Sequence, residues 1–100
     1  MTFNPQSGHE QSGRRPALVL SPLAYNQRVG LGLFCPITSQ RKGYPFEVPL
    51  PDGLTVKGVV LADQVRSLDW ESRNAAFADT PSAAVIDEVL EKLATLLPLS

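Results

Sequence analysis

Short apolar runs separated by polar loops mark the first part of the chain. Residues 16–22 and 31–37 are nearly continuous apolar runs, the first bracketed by prolines, and runs of this length are typical of buried strands. The polar residues 24–30 between them predict a polar connection. Cys35 lies inside the second run, so we expect a buried strand thiol rather than a nucleophile.

The middle of the chain carries the signals of a hairpin. Residues 45–50 alternate apolar and polar side chains, which is the period of a half-buried strand. The turn sequence Pro51-Asp52-Gly53 predicts that the following run folds back on this strand. Residues 56–62 and 64–68 then give two further short strands, interrupted at Asp63.

The last part of the chain changes to a helical pattern. Residues 70–79 show no regular period, and Thr80-Pro81 predicts a helix start, with the threonine as cap and the proline in the first turn. Beyond it an apolar helical face consists of Ile86, Val89, Leu90, Leu93, Leu96 and Leu97, and Pro98 ends the pattern. Together these elements predict a mainly β fold with a C-terminal α-helix, either a small antiparallel barrel or a strongly bent sheet.

Length and composition are those of an ordinary globular protein. One hundred residues, 43% hydrophobic and 19% charged, support a single domain, residues 1–100, with one modest core. No apolar run approaches the roughly 20 residues of a membrane span, and no secretory pattern opens the chain. We therefore expect a cytoplasmic protein without membrane contact. The single cysteine excludes an internal disulfide and a zinc site built on several thiolates.

Charge is unevenly distributed, although the net charge is only −1. Residues 1–66 carry seven Lys or Arg against four Asp or Glu, whereas residues 67–100 carry two against six. The basic excess of the first segment permits binding of a polyanion, but scattered solvated charges explain it equally well. Charge alone therefore assigns no function.

The richest chemistry lies in residues 8–16, Gly-His-Glu-Gln-Ser-Gly-Arg-Arg-Pro, which lead into the first apolar run. An imidazole, a carboxylate, a carboxamide and two guanidiniums are groups with which RNA can be cut without metal. They can supply a base for the ribose 2'-hydroxyl, an acid for the leaving 5'-oxygen and positive charge for the phosphate. Loops fixed to a rigid sheet commonly carry catalytic residues. Taken alone, Glu10 and Arg15 favour a plain surface ion pair.

Five segments together resemble the MazF/PemK (Kid) toxins of bacterial toxin-antitoxin pairs, over residues 2–97. In chain order they are Gly8-His9-Glu10-Gln11 with Arg15-Pro16, Leu20-Ser21-Pro22, Pro36-Ile37-Thr38, Lys42-Gly43-Tyr44-Pro45-Phe46, and Ala62-Asp63-Gln64-Val65 with Asp69-Trp70 and Arg73. Each segment is a weak signal alone, and the five in the family's order are a strong one. Leu61 stands where Kid-like members carry an arginine, so the pattern matches the MazF branch.

The resemblance implies an SH3-like antiparallel barrel of the CcdB/MazF/Kid type and a homodimer. It implies a metal-independent endoribonuclease without cofactor, which cuts single-stranded RNA such as mRNA at a short sequence and leaves 2',3'-cyclic phosphate and 5'-hydroxyl ends. It also implies a cognate antitoxin whose extended acidic tail blocks the RNA path. The family's first strand precedes the equivalent of residues 3–5. We expect that strand to be largely missing, with Met1 a misplaced start and an exposed edge beside the gap.

The family pattern implies roles for five catalytic candidates. Arg15 is expected to hold the scissile phosphate through two guanidinium N–H groups, and Thr38 to donate a hydroxyl hydrogen bond to the same phosphate. Glu10 is the candidate base and His9 a base or acid. Asp63 competes for the role of base, but it is equally suited to capping the break between two strands.

Polar residues flanking these candidates are expected to bind RNA through phosphates, base edges or stacking. They are Gln11, Arg28, Ser39, Gln40, Arg41, Lys42, Tyr44 and Gln64. Plain solvated loop residues explain the same pattern, and Trp70 favours a core or interface anchor over a stacking platform. Two other functions stay open: a non-catalytic toxin of the same fold, resembling the gyrase-binding CcdB, and a module that binds RNA or protein without cutting.

Overall fold

Five short antiparallel strands and two helices make up the part of the chain that the computed structural model describes, residues 15–73, 75–76, 78 and 80–98. The strands are β1 (Ala17–Val19), β2 (Gly32–Thr38), β3 (Glu47–Pro49), β4 (Val59–Leu61) and β5 (Arg66–Leu68), and the helices are α1 (Leu23–Val29) and α2 (Ala83–Ala94). The prediction of a mainly β fold with a C-terminal helix is confirmed. The expected loss of the first strand concerns residues that lie outside the described ranges.

β2 is the centre of the sheet, because it pairs along both of its edges. β1 lies antiparallel along one edge, with Ala17 opposite Pro36. On the other edge β5 pairs with the first half of β2 and β4 pairs with its last two residues. β3 adds outside β4 as the predicted hairpin partner, with Val48 opposite Val60.

The sheet bends between the end of β4 and the start of β5. Continuing the β4 register would bring Asp63 opposite Phe34, but Arg66 occupies that place, so three extra residues are inserted on this edge. Extra residues on one strand increase local twist and bend the sheet. The predicted interruption at Asp63 is thus confirmed, and the described strands form an open, barrel-like sheet.

One hydrophobic core lies between the sheet and α2. Val85 and Val89 of α2 are buried and join the valines of β3 and β4. The thiol of Cys35 is fully buried, as predicted, and points toward the carbonyl oxygen of Ala62 at 3.9 Å. None of the described helices is long and apolar enough to cross a membrane.

Residues 24–30, predicted only as a polar connection, contain most of α1. Pro22 precedes the helix in extended conformation, and Gly30 ends it in the left-handed region at φ 80°, with its N–H bonded to the carbonyl of Asn26. A proline start and a glycine stop are ordinary helix boundaries. The helix has only seven residues, of which one is buried, so the sequence shows no apolar periodicity that would indicate a helix.

Asn26 is the buried polar residue that fixes α1 to the sheet. Its side chain accepts a hydrogen bond from Ser21 Oγ at 2.6 Å and donates to the Ser21 carbonyl at 3.2 Å. The half-buried Trp70 donates its indole N–H to the Asn26 carbonyl at 3.0 Å. Trp70 is therefore an anchor, as the sequence indicated.

The C-terminal helix begins and ends inside the predicted limits. Its N-cap is Ser82 rather than Thr80, and its last residue is Ala94 rather than a residue next to Pro98. Residues 95–97 continue with tighter bonds to the third preceding carbonyl, which explains why the apolar pattern extends beyond the helix. The predicted apolar face is only partly covered, because Leu90, Leu96 and Leu97 are between 45% and 49% exposed.

Candidate functional site

The pairing of β1 with β2 brings Arg15 and Thr38 together. Pro16 accepts a hydrogen bond from the N–H of Ile37 at 3.1 Å, which extends the β1 register by one pair beyond Ala17. One further step places Arg15 opposite Thr38, the last residue of β2. Two residues that lie far apart in the sequence thus meet at one end of the sheet.

A groove of about 520 Å³ opens between these two residues. It is lined by Arg15, Pro16, Pro36, Ile37, Thr38, Ser39, Gln40 and Lys57. Its charged side chains are both cationic, and the Arg15 side chain is exposed to solvent. Guanidinium and ammonium groups around one groove favour an anionic ligand, with arginine able to bind two phosphate oxygens at once.

A second groove, of about 460 Å³, lies on the other side of Thr38. It is lined by Thr38, Gln40, Lys42, Tyr44, Glu47, Leu61 and Gln64. Thr38 and Gln40 belong to both grooves. The Thr38 hydroxyl oxygen accepts the N–H of Gln40 at 3.1 Å, and this bond leaves the hydroxyl hydrogen for a ligand.

Glu47 holds the loop that forms the wall of the second groove. Its carboxylate oxygens accept the N–H of Lys42 at 2.9 Å and the N–H of Gly43 at 3.1 Å. Its own N–H donates to the Tyr44 carbonyl at 3.0 Å. The sequence identified Glu47 only as the polar member of an alternating strand, since nothing in the alternation indicates which backbone groups its side chain meets.

Tyr44 and Asp63 join this loop to the bend of the sheet. The Tyr44 hydroxyl donates a hydrogen bond to Oδ2 of Asp63. This bond to the carboxylate, followed by burial and the Asp63 charge, raises the pKa of Tyr44, so its phenol stays protonated. Oδ1 of Asp63 is buried and has no hydrogen-bond partner among the described residues. Both carboxylate oxygens are thus turned to the protein interior or to Tyr44.

Gly58 packs directly against the backbone of Thr38. It lies at φ +125°, and a Cβ atom on it would stand 2.2 Å from the carbonyl oxygen of Thr38. Only glycine accepts both the conformation and the close approach. The sequence contains a signal for this contact, because an isolated glycine within an apolar strand pattern indicates a close backbone approach.

Comparisons with known proteins agree with these observations. A family model described as the PemK-like, MazF-like toxin of type II toxin-antitoxin systems matches residues 1–97. The chain belongs to this family. The chain is 45% identical to the endoribonuclease toxin MazF of Escherichia coli K12, over 95% of this chain and 85% of the relative.

Solved structures of MazF proteins are also similar to this MazF-like chain. A crystal structure of MazF (Form I) from Deinococcus radiodurans has 57% sequence identity and a TM-score of 0.86, covering 98% of this chain and 92% of that chain. A MazE-MazF crystal structure (Form III) from the same organism has 60% identity and a TM-score of 0.84, covering 87% and 88%. The architecture described above is therefore that of the MazF fold.

The MazF-like structure brings together most of the predicted RNA-binding residues on the described chain. Ser39, Gln40, Lys42, Tyr44 and Gln64 line one or both grooves. Arg41 lies exposed on the same loop without lining either groove. His9, Glu10 and Gln11 lie outside the described residues.

Arg28 is placed apart from this group. It lies in the last turn of α1, close to the first residue of β2. Thr38 is the last residue of β2, at the opposite end of that strand. Seven strand residues span about 20 Å. Within one chain the structure therefore does not bring Arg28 to either groove.

Lys57 is a cation that no sequence pattern marks as functional, since it lies in the run 56–62 and outside every family segment. A third recess, of about 250 Å³, adds Arg66 and Arg73 on the other side of Arg15. Within the described part of the chain, no group of three or more His, Cys, Asp or Glu side chains is placed to hold a metal ion.

Proposed function

We propose that this MazF-like toxin is an endoribonuclease that cleaves single-stranded RNA. The observation that carries the proposal is the placement of Arg15 opposite Thr38 in a groove whose charged side chains are cationic. A relative that shares 45% of its residues over 95% of the chain is named an endoribonuclease toxin. Both the local chemistry and the relationship support the same reaction.

In this proposal Arg15 and Thr38 act on one phosphate. The Arg15 guanidinium donates two hydrogen bonds to the non-bridging oxygens of the scissile phosphate, and the Thr38 hydroxyl donates a third. These bonds strengthen as negative charge builds up on the phosphorus oxygens in the transition state. Arg15 stays charged throughout, because a guanidinium does not give up a proton readily.

In this proposal, proton transfer is carried out by residues that precede Arg15 in the sequence. Glu10 takes the proton from the ribose 2'-hydroxyl, whose oxygen then attacks phosphorus while the bond to the 5'-oxygen breaks. An acid, for which His9 is the candidate, gives that oxygen a proton. The products are a 2',3'-cyclic phosphate and a 5'-hydroxyl. The contacts of Asp63 support an anchoring role for that residue, because Tyr44 occupies one oxygen and the other is buried.

The second groove is the proposed binding site for nucleotides next to the scissile phosphate. Tyr44 offers an exposed aromatic ring on which a base can stack, and Gln64 and Gln40 offer amide groups for base edges. Lys57 contacts a phosphate in the first groove, which makes RNA affinity fall with salt. The short sequence that is cut follows from these loop side chains.

We further propose that the chain forms a homodimer and that a cognate antitoxin neutralises it in the cytoplasm. Exposed apolar side chains on both helices, just after α2 and near the start of β2 support an interface with another chain. They are Leu23, Tyr25, Val29, Leu33, Leu90, Leu96 and Leu97. The recess of Arg15, Arg66 and Arg73 is suited to acidic side chains of an antitoxin tail.

Incubation of the purified chain with a long single-stranded RNA in EDTA tests the proposed reaction. We expect discrete cuts at one short sequence, with 2',3'-cyclic phosphate and 5'-hydroxyl ends identified by end-specific ligation and sequencing. A matched RNA with a 2'-deoxyribose at the cut position should stay intact, because it lacks the attacking oxygen. Cleavage that disappears in EDTA, or that proceeds at the deoxyribose, would refute the metal-independent mechanism.

A further inference from the structure

Glu47 is an acidic side chain in a groove assigned to a polyanion. It lines the second groove beside Lys42 and Tyr44, where a negative charge repels RNA phosphates. Its carboxylate is occupied by the backbone N–H groups of Lys42 and Gly43. This carboxylate weakens the positive charge of the groove, and among the described residues its hydrogen bonds go to loop backbone. These two observations indicate a role in shaping the loop.

The hydrogen bonds of Glu47 close the loop into a ring. The side chain reaches back to residues 42 and 43 while its own N–H bonds to the carbonyl of Tyr44. Gly43 lies at φ 78° within this ring, a conformation that favours glycine. Hydrogen bonds from backbone N–H groups to an ionised carboxylate are among the stronger ones in proteins, so the carboxylate fixes a loop that has no regular secondary structure.

We propose that Glu47 is a positioning residue that sets the RNA affinity and base preference of the second groove, an inference that rests on the proposed ribonuclease function. By holding the backbone of Lys42 and Gly43, it fixes where the Lys42 and Tyr44 side chains meet RNA. It is not assigned to the scissile phosphate, because its carboxylate is bonded to two backbone N–H groups and Arg15 lines the other groove. Loss of Glu47 therefore raises KM and alters the cut sequence while the chemical step is preserved.

A role of Glu47 through its charge and a role in positioning the loop predict opposite effects of Glu47→Gln on RNA binding. If Glu47 acted only through its charge, removing it would tighten RNA binding. As a positioning residue, its replacement loosens the loop, because a glutamine amide accepts one of the two N–H groups and turns its own N–H toward the other. We expect KM to rise about tenfold, with kcat within about twofold of the wild-type value.

The experiment measures kcat and KM for the wild type, Glu47→Gln and Glu47→Ala, with Glu91→Gln as the matched control. Glu91 lies exposed on α2 and lines neither groove, so the control loses the same charge without affecting the loop. Val89→Ala, a core variant of α2, shows what lowered stability alone does to KM. A KM for Glu47→Gln that is unchanged or lower than that of Glu91→Gln would overturn the proposal.

Two further measurements separate this inference from the ribonuclease function itself. Affinity for a mixed-sequence, 2'-O-methylated single-stranded RNA needs no cleavage, and it should fall in Glu47→Gln. Amide hydrogen exchange at Lys42 and Gly43 should be slow in the wild type and faster in Glu47→Gln. If the wild type fails to cut RNA, the ribonuclease proposal fails. If exchange and affinity are unchanged by the substitution, the positioning role fails.

Discussion

The hydroxyl of Tyr44 donates a hydrogen bond to the carboxylate of Asp63, which joins the loop after β2 to the bend between β4 and β5. Of the two sequence interpretations of Asp63, a catalytic base and a residue that caps the strand break, this contact supports a local structural role. We therefore propose that the base for RNA cleavage is one of the residues that precede Arg15 in the sequence. The contact leads directly to a test of the two roles.

Tyr44→Phe and Asp63→Asn are expected to have similar, modest effects on RNA cleavage. Each weakens the same contact and leaves Arg15 and Thr38 in place, so KM rises by about threefold to tenfold and kcat stays within about twofold. Steady-state cleavage assays measure both constants. A fall in kcat of about 10² or more in Asp63→Asn alone is the behaviour of a general base and would contradict the anchoring role.

Gly58→Ala is expected to destabilise the protein by about 2–4 kcal/mol and to reduce kcat, because the added Cβ collides with the Thr38 carbonyl and forces an unfavourable conformation. Gly53→Ala is the matched control. Gly53 also has a positive φ, at +97°, but a Cβ there meets nothing within 4 Å, so only about 1 kcal/mol is expected and kcat should not change. Urea unfolding and cleavage assays measure the pair. Equal effects of the two substitutions would argue against the support of Thr38.

Lys57→Ala and Arg28→Ala each remove one positive charge, but only Lys57 lines a groove. We expect Lys57→Ala to weaken RNA binding and to reduce the slope of log affinity against log salt by about 0.7, the value for one phosphate contact with single-stranded nucleic acid. Arg28→Ala should leave the slope unchanged. Fluorescence anisotropy with a labelled, 2'-O-methylated RNA at several salt concentrations measures both. Indistinguishable slopes would show that net charge, rather than the groove, determines binding.

The free energy of unfolding is expected to depend on pH in the alkaline range, because the Cys35 thiol is buried. Burial, with a smaller effect of the Asp63 charge, raises its pKa from 9.0 to about 11. Since the folded chain holds this proton more tightly than the unfolded chain, the associated stability is complete below pH 9 and is lost as the pH rises through about 11. Between these values the free energy of unfolding of Cys35→Ala should fall less steeply than that of the wild type, by up to about 1.4 kcal/mol per pH unit. Parallel curves in urea unfolding would contradict the shift.

The strands and their order of appearance could be predicted because each is marked by local chemistry. The apolar run of β2, the turn at Pro51-Asp52-Gly53 and the alternation around Val48 depend only on neighbouring residues. α1 escaped prediction because seven residues with a single buried side chain, Asn26, produce no apolar period. The cap predicted at Thr80 is wrong, because the N-cap of α2 is Ser82, whose side chain makes no capping hydrogen bond. A capping side chain therefore does not set the start of this helix.

The residues of the candidate site also divide into those that the sequence predicts and those that it does not. Arg15 and Thr38 could be named from family segments, and the register of β1 with β2 explains why they meet. The contacts of Glu47 with Lys42 and Gly43 depend on how a loop folds back on a strand, which no spacing in the sequence specifies. Lys57 reaches the groove for a similar reason, since the hairpin returns it to the end of β2.

The central claim, that Arg15 and Thr38 act on the same phosphate, is tested by single-turnover cleavage in EDTA with Arg15→Ala, Thr38→Ala and the double variant. We expect each single substitution to slow cleavage by about 10²-fold. Because both residues stabilise one charge, the double variant should lose clearly less than the product of the two losses. Cleavage at the wild-type rate in Arg15→Ala, or losses that multiply fully in the double variant, would contradict the shared site.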